Sequence, residues 1–184
     1  MRNLHPHLGT CLVAILLGGA LSAQTPVTQA PPAWKPFHLG AHHRTVSTQN
    51  PAAQKAFDQG LIWAFAFNHD EAMRAFHEAA RLDPDLAMAW WGIALVNGPH
   101  INNPVVDEAH AKAATVALGE AQKRMTGASP VEKELIEALA ARYGDPPPAD
   151  RKPLDEAYAK AMSEVAGRHP KDADVTIDRE VVGR

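Results

Sequence analysis

Apolar residues recur at steps of three and four along most of the chain after residue 50, and no stretch alternates apolar and polar residues with period two. This spacing places apolar side chains along one face of a helix. The first two stripes consist of Ala53, Ala56, Phe57, Gly60, Leu61, Ala64 and Phe67, and of Ala72, Ala75, Phe76, Ala79 and Leu82. The pattern predicts an all-α fold of about six helices without a sheet.

Capping residues mark the ends of the first three helices. Asn50 is a favourable N-cap, and Pro51 suits a first turn, where its missing N–H costs nothing. Pro84 ends the second helix because the residue before a proline is pushed out of the α region. Asp83 is then the natural N-cap of a third helix, predicted from about residue 85 to 96. Its inner stripe consists of Leu86, Ala89, Trp90, Ile93 and Ala94.

Three further helices are predicted after the loop at 97–104. Asn103-Pro104 repeats the N-cap and first-turn proline of residues 50–51, and it predicts a helix that starts there and ends near Met125. Ser129 followed by Glu132 forms a capping box, which predicts a helix ending near residue 143. A last helix is predicted over residues 154–167, with a stripe of Leu154, Ala157, Tyr158, Ala161 and Val165.

The N-terminus has the pattern of a secretory signal. Arg2 precedes an apolar run at 11–21, which is too short to span a bilayer. Cleavage after Ala23 would place a small residue at the −1 position, although Leu21 is large for the −3 position, so the sequence does not fix the exact site. We expect residues 1–23 to be a signal peptide and 24–36, with four prolines, to be a linker. The protein is then periplasmic or secreted, with no stable membrane insertion after cleavage. The alternative is that the apolar run stays as a membrane anchor.

Composition and motifs exclude several kinds of functional site. Cys11 is the only cysteine, so the exported chain would hold no disulfide, zinc–thiolate site or c-type haem attachment. The formal net charge of −3 does not indicate the basic surface that nucleic-acid binding requires. No nucleophile-elbow, zinc-protease or phosphate-loop motif occurs, so we expect no enzymatic activity, no catalytic residue, no cofactor and no metal site.

The stretch at 53–86 resembles a tetratricopeptide (TPR) repeat, a helix pair of about 34 residues that closes on proline. The matching positions are Gly60, Trp63, Ala72, Phe76, Ala79 and Pro84, and one period after Ala56 comes Trp90, which opens a second, degenerate repeat from residue 87. Ala56 and Gln59 depart from the family pattern, and Phe57 stands one residue after its aromatic position. The resemblance implies a TPR-like solenoid of antiparallel helix pairs over residues 37–174.

The phrases "FNHDEAMRAF", "AWWGIA" and "ALAARY" are similar to those of a group of exported bacterial TPR proteins. In that group the chain usually continues through further repeats after the point that corresponds to residue 175. The resemblance therefore implies a truncated chain, with 175–184 as a disordered tail. It also implies an uncovered last helix, which would be the least stable element and would favour self-association.

The resemblance further implies a protein- or peptide-binding scaffold, because the first helix of each TPR pair lines a concave groove. On this register the groove residues are Phe57, Leu61, Ala64, Met88, Trp91 and Leu95. Trp91 would face the groove and Trp90 the core. The alternative is that both tryptophans are core residues.

Two other functions remain open from the sequence. His42, His43 and His69 would serve an exported metal- or redox-handling component, although no carboxylate or cysteine stands at ligand spacing. The bland interpretation of these histidines is a solvated or capping role. A fragment of a longer TPR protein is the third hypothesis.

Overall fold

A computed structural model describes residues 36–102 and 104–176 of the 184-residue chain. These residues form six α-helices and one short 3-10 helix and contain no β-strand, so the predicted all-α class is confirmed. The helices are α1 (Pro51–Phe65), α2 (His69–Leu82), α3 (Ala87–Val96), α4 (Glu108–Lys123), the 3-10 helix (Met125–Gly127), α5 (Pro130–Ala140) and α6 (Lys152–Arg168). The predicted signal peptide and all of the predicted linker before Pro36 lie outside the described residues.

Two predicted caps are confirmed. The Asn50 side chain accepts hydrogen bonds from the backbone N–H groups of Ala52 and Ala53, at 3.0 and 3.3 Å. Its amide also donates to the Leu82 carbonyl at 2.9 Å, which ties the start of α1 to the end of α2. Ser129 and Glu132 form the capping box of α5.

Two predicted helix starts are wrong. Pro84 does not begin the third helix: it lies in a turn after Asp83, the C-cap of α2, and α3 starts at Ala87. Asn103-Pro104 does not open the fourth helix either. The Asp107 carboxylate accepts the His110 backbone N–H at 2.8 Å, so the cap that forms is the acidic one four residues later. The carboxylate also favours the positive end of the helix.

The core is organised around Phe76 of α2, which is fully buried. Gly60 of α1 and Gly92 of α3 lie against its ring. A Cβ added at either glycine would come within 2.6 Å of ring carbons at Gly60 and 2.5 Å at Gly92. Both glycines are therefore required for the close approach of three helices around one aromatic side chain.

Helix α3 lies at the centre of the described domain, in contact with α1, α2, α4 and α5. It carries no charged residue, and eight of its ten residues are buried. A helix that is apolar on all sides is stable only when it is surrounded. Tyr143, which follows α5, ties the end of that helix to α3, because its hydroxyl donates to the Ala94 carbonyl at 2.7 Å.

An extended segment precedes α1, and we call residues 37–50 the N-terminal strap. The backbone N–H and C=O of Phe37 both bond to the side chain of Gln59 on α1. Further along, the Ser47 backbone N–H donates to the buried Glu132 of α5 at 2.7 Å. The strap therefore joins α1 to α5, two helices that are distant in sequence.

The prediction for the C-terminal segment is partly wrong. Residues 173–176 are helical, and Val175 is 1% exposed within the core, so the disordered tail does not begin at 175. Residues 177–184 lie outside the described part. Helix α6 is also better covered than expected, because Tyr158 and Val165 are buried. The lower stability of α6 and self-association stay predictions. Among the described helices, none has the length and apolarity that a membrane crossing requires.

Candidate functional site

The six predicted groove residues do not line an open surface. Phe57, Leu61, Met88 and Trp91 are buried, and Ala64 and Leu95 are partly buried. The α3 residues are covered because α3 contacts α5, to which Trp91 bonds. On α1, Phe57 packs on Phe76 of α2, with the ring centroids 5.6 Å apart. The predicted placement of these residues in an exposed groove is therefore wrong for the four buried ones.

Trp91 faces the core and not a groove, and Trp90 also packs against the core while it stays partly buried, which agrees with the alternative that both tryptophans are core residues. Trp91 is 2% exposed, and its indole N–H donates to the Leu135 carbonyl of α5 at 3.2 Å. Trp90 is only partly buried and carries the Arg124 guanidinium 5.0 Å from its ring centroid. A buried indole needs an acceptor, and α5 supplies one to Trp91.

The residues assigned to the repeat pattern occupy the α1–α2–α3 packing region and its edges. Ala72, Phe76 and Ala79 are fully buried on α2, as a second-helix stripe requires. Trp63 is partly buried, with its ring in an edge contact 5.5 Å from Phe37 of the strap. Gly60 packs on Phe76, and Pro84 is in the turn. Sequence reasoning therefore identified the packing positions better than the surface.

The histidines proposed as metal ligands do not converge. His42 lies 3.2 Å from Asp174, His43 lies 2.8 Å from Asp58, and His69 lies 3.1 Å from the Val96 carbonyl. In the part of the chain that the structure describes, no three His, Cys, Asp or Glu side chains are grouped so that they could hold a metal ion. The three histidines each have a different partner.

The structure pairs His69 with His100, which the sequence did not indicate. Their ring centroids are 4.2 Å apart, and the exposed Phe67 packs on both rings. Burial lowers the pKa of His100, and the neighbouring His69 and Arg142 lower it further. The arrangement holds His100 in its neutral form.

This pairing predicts that acid weakens the fold. The pKa of His100 is lower in the folded than in the unfolded chain, so protonation favours unfolding. Its stabilising contribution is present above about pH 6.5 and is lost as the pH falls below that value. His77, whose pKa burial also lowers, acts in the same direction. Urea unfolding at pH 7.5 and 5.5 should show a smaller acid loss in His100→Gln than in the parent.

The matched control is His110→Gln, at an exposed residue whose ring contacts Asp107, the N-cap of its own helix. His110→Gln should lose as much stability in acid as the parent chain does. An equal acid loss in the parent and in His100→Gln would show that the pair does not resist protonation.

An open cleft lies between the strap and the C-terminal turn. We call it the junction cleft. Its volume is ≈ 900 Å³, and its lining is formed by residues 42–45, Val131 and residues 168–174. It brings together residues 128 and 130 positions apart in sequence, through the contacts of Arg44 with Asp172 and Asp174. None of the predicted groove residues lines it.

Arg44 closes the floor of the junction cleft. The side chain is 8% exposed and donates to Asp172 at 2.7 Å and to Asp174 at 3.3 Å. Burial opposes the charge of Arg44, but the two carboxylates outweigh it and raise the pKa of the guanidinium. Burial likewise opposes ionisation of Asp172, while hydrogen bonds from Arg44 and the Val175 backbone lower its pKa. Arg44 thus bonds to one oxygen of each acid, while Asp174 Oδ1 is buried without a hydrogen bond from any described residue.

The rim of the junction cleft is more exposed than its floor. Arg168 and His43 are about half exposed, and Lys171 is exposed. Arg168 and His169 both contact Glu134 of α5, at 3.0 and 2.9 Å. An arginine, a histidine and a lysine therefore present hydrogen-bond donors to solvent around the ion cluster of Arg44 with its two aspartates. Such a lining suits polar recognition of a flexible partner.

The sequence signalled only part of this site. His42 and His43 were noticed, but Arg44, the next residue, was not, because nothing local distinguishes a buried arginine from an exposed one. Glu132 was identified as a capping residue, and its second role, accepting from Ser47 of the strap, depends on a contact 85 residues away. No protein-family model, curated protein or solved structure matches the chain.

Proposed function

We propose that this chain is a TPR-like helical scaffold of the periplasm or the exterior, and that it binds a protein or peptide segment in the junction cleft. It performs no chemistry on that partner. The observation that carries the proposal is the cleft itself, an open volume of ≈ 900 Å³ with exposed polar groups above a floor that Arg44 holds rigid. A preorganised floor reduces the entropy lost on binding.

The repeat-like packing supports the scaffold part of the proposal. Phe76 of α2 is seated between Gly60 and Gly92, and Asn50 ties the start of α1 to the end of α2. Gly60 and Phe76 are among the positions at which the sequence resembles a TPR unit. The short connections at 66–68 and 83–86 make consecutive helices neighbours in the manner of stacked helix hairpins.

The junction cleft replaces the predicted groove as the binding region. The groove residues are used to pack α3 against its neighbours, so they have little surface left for a ligand. The cleft combines donors from Arg168, Lys171 and His43 with the exposed Thr45 hydroxyl. These groups fit the carbonyls and acidic side chains of an extended segment.

A displayed library of random peptides, selected against the full-length chain, tests the proposal. Enriched peptides should bind the chain in solution, and Lys171→Glu should weaken them about threefold or more, since rim charges steer association. Lys112→Glu, a matched exposed change on α4, should have no effect. A failure to enrich any peptide, or an equal effect of both variants, would refute the proposal.

A further inference from the structure

A smaller cavity lies between the first half of the strap and α1, and we call it the strap pocket. Its volume is ≈ 430 Å³, and it is lined by residues 37–40 and 42 of the strap and by four residues of α1. This volume is at the low end of the range of about 300–1,000 Å³ that small-molecule sites cover. The strap pocket is therefore sized for a small molecule, whereas the peptide segment of the proposed function belongs to the larger junction cleft.

Hydrogen bonds fix the walls of the strap pocket. The Gln59 side chain is buried and bonds both the backbone N–H and the backbone C=O of Phe37. Asp58 accepts from the Arg44 backbone N–H at 3.1 Å, and its second oxygen contacts the His43 ring at 2.8 Å. The strap is thus tied to α1 at both ends of the strap pocket. A ligand meets a preformed site there, so little order has to be created on binding.

Lys55 brings a positive charge to the strap pocket that no acid balances. Its side chain lines the cavity from α1 and is exposed. Across residues 36–102 and 104–176, its ammonium group forms no ion pair. Asp58, the acid among the lining residues, is already used by the strap and by the Gln54 amide, and its side chain is only 14% exposed. The charge that is free to meet a ligand is therefore the cation.

Three apolar side chains line the same cavity. Phe37 is 46% exposed and packs edge-on against Trp63, with the ring centroids 5.5 Å apart. Leu39 and Ile62 are partly buried. Ile62 follows Lys55 by seven residues, so the two lie on one face of α1, about 10 Å apart along the helix axis. The strap pocket thus presents a cation at one end of this face and apolar surface at the other.

We propose that the strap pocket binds a small carboxylate with an apolar body. The carboxylate pairs with Lys55, and the body packs against the three apolar side chains, which removes apolar surface from water on both partners. An aromatic ring with a short acidic tail has the required length. His38 also lines the cavity, and its imidazole keeps at least one N–H donor in either charge state.

The same features argue against other ligand classes. A phosphate site collects several donors or uses a helix N-terminus, whereas Lys55 lies inside α1 (Pro51–Phe65). A cationic ligand would have to compete for Asp58, whose two oxygens are already engaged. Binding in the strap pocket is also independent of a peptide in the junction cleft, because Lys55, Phe37 and the other apolar residues do not line that cleft.

NMR titration of the isotope-labelled full-length chain with phenylpropionate tests the proposal. The amide resonances of residues 37–42 and 55–62 should shift saturably, with a Kd of about 1 mM, as expected for a ligand of this size. The amide of Lys171, on the rim of the junction cleft, should not shift. Phenylpropionamide, which has the same body without the charge, should bind about threefold to fivefold more weakly, the effect of one exposed ion pair. Inorganic phosphate should produce no saturable shift.

Two variants separate the charge from the apolar contact. Lys55→Gln should weaken phenylpropionate about threefold to fivefold, while Lys112→Gln, at an exposed lysine of α4, should leave the affinity unchanged. Phe37→Ala should weaken it about threefold, since its ring contact is lost and the backbone bonds to Gln59 remain. The absence of a saturable shift, equal affinity in Lys55→Gln and the parent, or phosphate binding at the same residues would overturn the proposal.

Discussion

Phe76→Ala should lower the free energy of unfolding by about 3–5 kcal/mol, because it removes a fully buried aromatic side chain and leaves a cavity. The cavity cannot close by a small shift. The Gly60 and Gly92 faces that border it belong to α1 and α3, and neither has a side chain to move into the space. Urea unfolding monitored by circular dichroism gives the comparison with the parent chain.

Phe37→Ala is the matched control for Phe76→Ala. Phe37 is 46% exposed and touches Trp63 at the surface, so its replacement should cost about 1 kcal/mol or less. If Phe76→Ala also costs less than about 1 kcal/mol, then Phe76 is not the anchor of the α1–α2–α3 packing. The assignment of the repeat register would fail with it.

The buried stripe of α2 could be predicted because local spacing decides it. Ala72, Phe76 and Ala79 fall on one face at helical intervals, and all three are fully buried. The caps at Asn50 and Ser129 were predictable for the same reason, since a cap acts within three residues. The start of α4 was predicted at Asn103-Pro104 and not at Asp107, because both places offer good local signals and the sequence alone does not choose between them.

The orientation of Trp90 and Trp91 was beyond local reasoning. Successive helical residues point about 100° apart, so the sequence fixes their relative directions but not which one meets the core. The choice depends on α5, which places the Leu135 carbonyl against the Trp91 indole. An apolar helix such as α3 carries no polar face that would have revealed its orientation.

The junction cleft was hidden for a related reason. Its floor joins Arg44 to Asp172 and Asp174, and no residue pattern near 44 or 172 announces a contact across 128 positions. The histidines at 42 and 43 were visible as a cluster, yet their partners are carboxylates on other elements. The alternative of a metal-binding role grouped these histidines with His69, whereas each of the three contacts a different residue.

Arg44→Ala should lower the free energy of unfolding by about 2–3 kcal/mol at neutral pH. Removing one partner of a buried pair leaves uncompensated charge, and here two carboxylates lose the same cation. The value lies at or below the low end of the usual range because the Asp172 side chain is 25% exposed and water screens it. Arg81→Ala, at an exposed arginine on α2, should leave the unfolding midpoint nearly unchanged.

The effect of Arg44→Ala should shrink in acid. The pKa of Asp172 is lower in the folded than in the unfolded chain, so its contribution is present above about pH 3.9 and is lost as the pH falls through the folded value. Adding Asp172→Asn and Asp174→Asn to Arg44→Ala should recover part of the loss at neutral pH, since no unpaired charge then remains. An Arg44→Ala cost equal to that of Arg81→Ala, or a cost that does not change with pH, would show that this ion cluster does not hold the strap to the C-terminal turn.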